Sequence, residues 1–108
     1  MNAVFRPQFW RDLEDGVAYL NVTASFETAK RWHEEVMANV ARVERQPDVG
    51  RPRRDLKPPG IRSLVLRRFP RYLLFYRWEA DTVEILRIKH GMMNLPSLFR
   101  SEDPSPAK

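Results

Sequence analysis

The hydrophobic positions follow a helical period through the first half of the chain. Apolar side chains recur there every three or four residues, which is typical of a helix with one buried face. The two stripes are Trp10, Leu13, Val17 and Leu20, and then Ala29, Trp32, His33, Val36, Val40 and Val43. Pro7 suits the first turn of the first helix, and Ser25 is a favoured N-cap for the second, which ends near Arg45. The pattern predicts two antiparallel helices with a short connection, a helix hairpin.

Beyond residue 60 the apolar residues come in short runs that are typical of strands. We predict strands over Ile61–Arg67, Tyr72–Trp78 and Thr82–Lys89, with turns short enough to make neighbours antiparallel. The run Ala3–Phe5 predicts a brief first strand. The order β-α-α-β-β-β indicates an α+β domain, in which the helix hairpin packs on a small, twisted, mainly antiparallel four-stranded sheet.

The remaining segments show neither the helical spacing of apolar residues nor the short apolar runs of strands. Gln46–Gly60 contains four of the nine prolines and two of the four glycines, so we expect an irregular, charged surface connection there. A short helix through Leu95, Leu98 and Phe99 is expected after the last strand. Residues 1–100 then form one domain, and residues 101–108, which offer no apolar anchor, are predicted to be disordered.

Composition excludes several classes of site. The 108 residues include no cysteine and only two histidines, so disulfides, thiolate metal sites and cysteine catalysis are excluded, and neither a metal centre nor a cofactor is expected. The first residues lack the long apolar run of a signal peptide, and no stretch approaches the ~18 apolar residues of a membrane span. We therefore expect a cytoplasmic protein.

Positive charge is concentrated in one stretch. Residues 51–71 hold eight of the nineteen Lys and Arg residues and a single acid, Asp55, giving a local charge of +7 in a chain of net charge +5. Most of these cations are arginines, whose planar guanidinium binds phosphate or carboxylate through paired hydrogen bonds. A fixed basic surface fits an anionic partner such as nucleic acid, a nucleic-acid machine or an acidic peptide.

The candidate binding group within this stretch is Arg62, Arg67, Arg68 and Arg71. The competing interpretation is a solvated strand face that protects a sheet edge from aggregation. Met92 and Met93 fit either flexible contacts to a partner or closure of the core, and the sequence leaves both open.

Two other features have a chemical and a structural interpretation. His90, at the end of the last predicted strand, fits a general acid or base, or simply a hydrogen-bonded histidine; His33 is interpreted as structural. The side chains of Tyr72, Tyr76 and Trp78 share one strand face, which we assign to the core rather than to a base-stacking platform. Leu73 and Phe75 lie on the opposite face, which a partner would cover if they are exposed.

Three sequence strings in order resemble the RelE/ParE toxin superfamily. They are residues 60–63 (GIRS), 74–77 (LFYR) and 86–91 (LRIKHG), within a resemblance that runs from Phe5 to Phe99 and is closest to the ParE branch, the plasmid-stabilisation toxins of type II toxin–antitoxin pairs. The resemblance implies two helices on a twisted sheet with the N-terminal strand at its edge. It also implies a cognate antitoxin, part of which folds along the toxin and neutralises it.

The resemblance further implies one of two toxic mechanisms. ParE-like toxins inhibit DNA gyrase by protein–protein contact, whereas RelE-like toxins cut mRNA on the ribosome. The absence of Lys from Ile61–Arg67, and of any Tyr after Tyr76, favours the ParE mechanism. On this interpretation the residues that bind target or antitoxin are Arg62, Arg67, Arg68, Arg71, Arg87, Met92 and Met93, and no sequence-specific DNA binding is expected.

Two alternatives remain open at this point. A RelE-like mRNA endonuclease would use His90 with Arg62, Arg71 and Arg87. A toxin-like protein without toxicity is the other, because Met92, Met93 and Asn94 stand where the ParE branch often has two basic residues and an acid.

Overall fold

A computed structural model describes residues 2–91 of the chain, and these form seven elements. In chain order they are β1 (Asn2–Phe5), α1 (Pro7–Thr23), α2 (Phe26–Arg45), β2 (Arg51–Pro52), β3 (Ile61–Val65), β4 (Tyr72–Glu79) and β5 (Thr82–His90). The helix expected through Leu95, Leu98 and Phe99, the tail at 101–108, and Met92 and Met93 all lie outside the described residues.

The strands form one mixed sheet in the order β1-β5-β4-β3-β2. β1 pairs in parallel with β5, and the other neighbours are antiparallel. The α+β class and the helix hairpin are confirmed, but the sheet has five strands where four were predicted. The additional strand is β2, in which Arg51 pairs with Ser63 and Pro52 with Arg62. A proline is tolerated there because β2 lies at the sheet edge, where a missing N–H leaves no ladder bond unmade.

The helix hairpin buries one face of the sheet. Trp32, Val36 and Val40 of α2 pack with Leu74 and Tyr76 of β4 in the main core. Ser25 caps α2 as predicted, since its Oγ accepts a hydrogen bond from the Thr28 backbone N–H at 3.0 Å.

The predicted stripe of α1 is wrong at one position: Leu13, Val17 and Leu20 face the main core as expected, but Trp10 does not. Phe9 is fully buried, whereas Trp10 is 43% exposed and contacts Phe5 at the rim of the core, with ring centroids 4.7 Å apart. The short link from β1 into α1 orients Phe9, rather than Trp10, toward the sheet. His33 was also assigned to a buried stripe, but it is exposed.

The aromatic face of β4 is only partly core. Tyr76 is fully buried and Tyr72 packs its ring against Trp32, with centroids 5.2 Å apart, as the assignment to the core requires. Trp78 is 40% exposed, and the Arg62 guanidinium lies over its ring.

The second face of the sheet is covered by the chain itself. Leu56, in the segment between β2 and β3, is 2% exposed and packs with Ile61, Phe75 and Leu86. The expectation that the whole of Gln46–Gly60 lies on the surface is therefore wrong for Leu56. Phe75 is fully buried, so it needs no partner protein to cover it.

Candidate partner-binding surfaces

Three exposed arginines share the turn between β3 and β4; we call Arg67, Arg68 and Arg71 the arginine turn. Two backbone hydrogen bonds define its shape: the Leu66 N–H donates to the Tyr72 carbonyl at 3.1 Å, and the Tyr72 N–H to the Phe69 carbonyl at 2.9 Å. Leu66 is fully buried and Phe69 packs against the main core, so apolar side chains anchor the turn. None of the three guanidinium groups forms an ion pair with another residue in the range 2–91.

The arginine turn lies beside the C-terminal end of β5. Tyr72 pairs with His90 across the two strands, and the Gly91 N–H donates to the Arg71 carbonyl at 2.7 Å. The His90 ring stands edge-on to Tyr72 with centroids 5.4 Å apart. Of the predicted site residues, the structure thus brings Arg67, Arg68, Arg71 and His90 to one end of the sheet.

Helix α2 also holds the turn. One carboxylate oxygen of Glu35, Oε2, accepts hydrogen bonds from the Arg68 backbone N–H at 3.4 Å and from Asn39 Nδ2 at 3.2 Å. The contact to Arg68 uses its backbone, so the side chain stays exposed. The turn is therefore a fixed feature of the fold that presents three cationic side chains to solvent.

Arg62 lies away from this group. It pairs with Tyr76, four residues along β4 from Tyr72, a separation of about 13 Å at ~3.3 Å per residue. Its Nη1 donates to the Gly50 carbonyl at 2.7 Å and to the Asp48 carbonyl at 3.3 Å. The predicted four-arginine group is therefore divided, and Arg62 helps to hold the α2–β2 connection.

Arg87 is buried rather than displayed. Its side chain is 8% exposed, and its Nε and Nη2 donate to the Asp12 carboxylate at 2.7 and 2.9 Å. The same carboxylate accepts the Ile88 N–H at 3.2 Å and lies 3.1 Å from Lys89 Nζ. Arg87 thus joins β5 to α1, a position that does not fit the predicted contact with a partner or the alternative catalytic role.

A second basic group lies at the opposite end of β3, around the segment 52–60, which we call the proline loop. The loop lines an open surface pocket of about 350 Å³ together with Ile61 and Arg62. Arg54 and Lys57 are exposed on it, and Arg51 is exposed just before it. Sequence analysis counted these cations in the basic stretch but assigned them no role.

One loop arginine is neutralised internally. Arg53 donates from Nε and Nη2 to the Asp55 carboxylate at 3.0 and 2.7 Å, and from Nη1 to the Ser63 hydroxyl at 3.3 Å. The hydrogen bond from Arg53 lowers the pKa of the Asp55 carboxyl, because it favours the ionised form.

Other site classes find no support in residues 2–91. In this range no three His, Asp or Glu side chains are grouped so that they could hold a metal ion. Neither of the two helices described there is long and apolar enough to cross a membrane.

Comparison with known proteins places this fold. A family model described as the ParE toxin of the type II toxin–antitoxin system parDE matches residues 3–95. The chain belongs to the ParE toxin family. The match begins within β1 and covers the other six elements in full, and it confirms the superfamily and the branch that the three sequence strings indicate. No curated protein matches the chain.

Solved structures share the ParE fold. The chromosomal ParDE toxin–antitoxin system from P. aeruginosa superposes with a TM-score of 0.70 at 22% identity, covering 83% of this chain and 95% of that one. A YoeB/ParE toxin from Agrobacterium tumefaciens superposes with a TM-score of 0.57 at 20% identity, covering 83% and 98%. Membership of a family of type II toxins implies an antitoxin partner for this ParE chain.

Sequence reasoning missed one structural residue and one surface of this ParE chain. Asp12 gave no sequence signal for its structural role, because its partner Arg87 lies 75 residues away in sequence. The one available signal was the position of Arg87 between two apolar residues of β5, Leu86 and Ile88. The proline loop was missed as a separate surface because sequence charge does not show that β3 divides the basic stretch.

Proposed function

We propose that this ParE-family chain is a cytoplasmic toxin that inhibits DNA gyrase by protein–protein contact and is neutralised by a cognate antitoxin. The arginine turn carries the proposal, because it is the part of the predicted binding group that is exposed and held rigid. Charged groups on a rigid surface steer association and fix the register of a complex. The choice of gyrase as the target rests on the resemblance to the ParE branch.

The antitoxin is proposed to use the same turn. An acidic segment that covers Arg67, Arg68 and Arg71 would block the target contact directly, so one surface would serve both partners. We expect the antitoxin to be a small acidic protein, encoded beside this gene, with a DNA-binding N-terminal part.

Supercoiling of relaxed plasmid by purified gyrase tests the proposal. Excess wild-type protein should inhibit the reaction, and Arg68→Ala/Arg71→Ala should raise the half-inhibitory concentration by about tenfold or more, since a loss of ~1.4 kcal/mol of binding free energy is tenfold. Binding of the antitoxin, measured by titration calorimetry, should weaken in parallel.

The matched control removes the same charge elsewhere. Arg11→Ala/Lys30→Ala replaces two exposed helix cations, and should leave inhibition unchanged. Both double variants should keep their thermal stability, because exposed substitutions usually cost under ~0.5 kcal/mol. Supercoiling that is unaffected by excess wild-type protein would contradict the proposal.

A ribosome-dependent mRNA endonuclease is the second candidate, and one observation favours it. His90 and Arg71 lie at neighbouring strand ends with Tyr72 against the imidazole. A histidine can transfer protons near neutral pH, and an arginine can stabilise the developing charge on a phosphate. New in-frame mRNA 5′ ends after induction, seen by primer extension and lost in His90→Ala, would select this function instead.

A further inference from the structure

The proline loop is built as a rigid cationic surface. Leu56 anchors its middle in the second hydrophobic cluster, and the Arg53 N–H donates to the Ile61 carbonyl at 2.8 Å. Arg53 is also held by Asp55 and Ser63, and its guanidinium lies over the Phe75 ring at 5.8 Å from the centroid. Gly60 leads into β3 with φ of +92°, a backbone conformation that glycine adopts readily. The loop therefore needs little ordering before it binds a ligand.

The charge on this surface is largely uncompensated. Residues 48–62 contain five Lys and Arg and two acids. Asp55 forms an ion pair with Arg53. Arg62 donates hydrogen bonds to carbonyl groups, which do not neutralise its charge. Arg51, Arg54 and Lys57 form no ion pair with any residue between 2 and 91. An anion at the pocket would thus meet several cations at once.

The chemistry of the pocket favours phosphates over a protein surface. Protein interfaces depend on apolar or aromatic anchors at their centre, but the loop's Leu56 and neighbouring Ile61 are buried, and the exposed apolar groups beside the cations are the rings of Pro52 and Pro59. Contact with a nucleic-acid backbone needs only cationic donors spread along a surface.

We infer that the proline loop binds the phosphate backbone of double-stranded DNA without regard to base sequence, through Arg51, Arg54 and Lys57. This surface lies at the opposite end of β3 from the arginine turn, so its cations are separate from those proposed to bind the protein partners. The inference does not depend on gyrase, and its test contains no gyrase.

Fluorescence anisotropy of a short labelled duplex tests the inference. Each phosphate contact contributes ~0.9 to the slope of log K against log salt concentration. Over roughly 50 to 200 mM salt, Arg54→Ala/Lys57→Ala should therefore lower the magnitude of the slope by about 1.8 relative to wild type. Two duplexes of unrelated sequence should bind with equal affinity.

Two controls separate position from net charge and from folding. Arg11→Ala/Lys30→Ala removes the same charge from the helices and should preserve the slope. Arg54→Lys/Lys57→Arg keeps both charges on the loop and should preserve it too. A wild-type melting temperature in the alanine pair excludes unfolding as the cause of its loss.

Three outcomes would overturn the inference. The first is no duplex binding by wild-type protein at 50 mM salt, near the low end of the range where such contacts are strong. The second is an equal loss of slope in the loop pair and the helix pair, which would mean that net charge alone drives binding. The third is displacement of the duplex by polyglutamate at a lower charge concentration than by unlabelled DNA, which would assign the loop to an acidic peptide.

Discussion

At the scale of single residues, the Asp12 carboxylate joins parts of the fold that are distant in sequence. β1 ends at Phe5, so it does not pair with β5 beyond Ile85. Asp12 takes the place of that strand by accepting the Ile88 N–H, and it pairs with Arg87 and Lys89. A buried ion pair adds little net stability compared with an apolar pair, but its two halves depend strongly on each other.

Removing Asp12 should destabilise the fold severely. Asp12→Ala removes the buried carboxylate that accepts hydrogen bonds from Arg87 Nε and Nη2 and from the Ile88 N–H. We expect the free energy of unfolding to fall by about 3–5 kcal/mol, as measured by urea denaturation. The double variant Asp12→Leu/Arg87→Met should recover most of this loss because it removes the buried charge. A loss below ~1 kcal/mol in Asp12→Ala would show that solvent already compensates Arg87.

At the scale of elements, the spacing of the helix hairpin depends on one glycine. Gly16 faces Trp32 across the two helices, and a Cβ built there would overlap Cη2 of the indole and lie 2.7 Å from Cζ3. Trp32 is fully buried against the sheet and cannot move aside. From sequence alone, Gly16 only weakens α1, whereas the structure shows that it allows the helices to approach.

Gly16→Ala should therefore destabilise the protein despite its better helix propensity. Alanine gains up to ~1 kcal/mol in a helix, but overpacking a core costs typically about 1–3 kcal/mol. We expect a lower melting temperature by calorimetry, with a substantial part of it restored in Gly16→Ala/Trp32→Phe, where the smaller ring leaves room. A melting temperature above that of wild type would contradict the close packing.

The elements themselves were largely predictable, and their contacts were not. Local period and capping residues determined both helices and the three long strands, because those signals lie within each element. β2 was not predicted because its two residues, Arg51 and Pro52, show no alternation of apolar and polar side chains. They form a strand only because they lie beside β3 at the sheet edge. The exposed side of Trp10 and the Asp12–Arg87 pair depend on how elements dock, which no local pattern contains. The basic stretch was visible, but its division by β3 into two surfaces required coordinates.

At the scale of the whole molecule, Tyr76 couples the centre of the sheet to the chain that leaves α2. Its hydroxyl donates to the Pro47 carbonyl at 2.6 Å and accepts the Gly50 N–H at 2.8 Å. The same connection positions Arg62, so the base of the proline loop is held from inside the core.

Stability should consequently fall in alkaline solution. Burial raises the pKa of the Tyr76 hydroxyl above its ordinary value of 10.0, so the folded chain holds this proton more tightly than the unfolded chain. The stabilising contribution of this hydroxyl is therefore fully present well below about pH 10, and the free energy of unfolding falls as the pH rises above that value.

Tyr76→Phe should separate the two effects of the hydroxyl. At neutral pH the variant should lose about 1–3 kcal/mol, because the Gly50 N–H and Pro47 carbonyl lose their partner. Above pH 10 its free energy of unfolding should decline less steeply than that of wild type, with a remainder from Tyr72, whose pKa burial also raises. Urea denaturation across a pH series measures both, and an undiminished alkaline decline would exclude Tyr76 as its source.

The parallel pairing of β1 with β5 has a consequence for biosynthesis. Asn2 pairs with Thr82, which is synthesised much later, so β1 cannot pair with β5 until almost all the described chain has been made. Contacts so distant in sequence slow folding, because a long loop must close before they form. A nascent chain therefore cannot complete its sheet during most of translation, and a partner that captures the newly released polypeptide has that folding interval in which to act before the toxin matures.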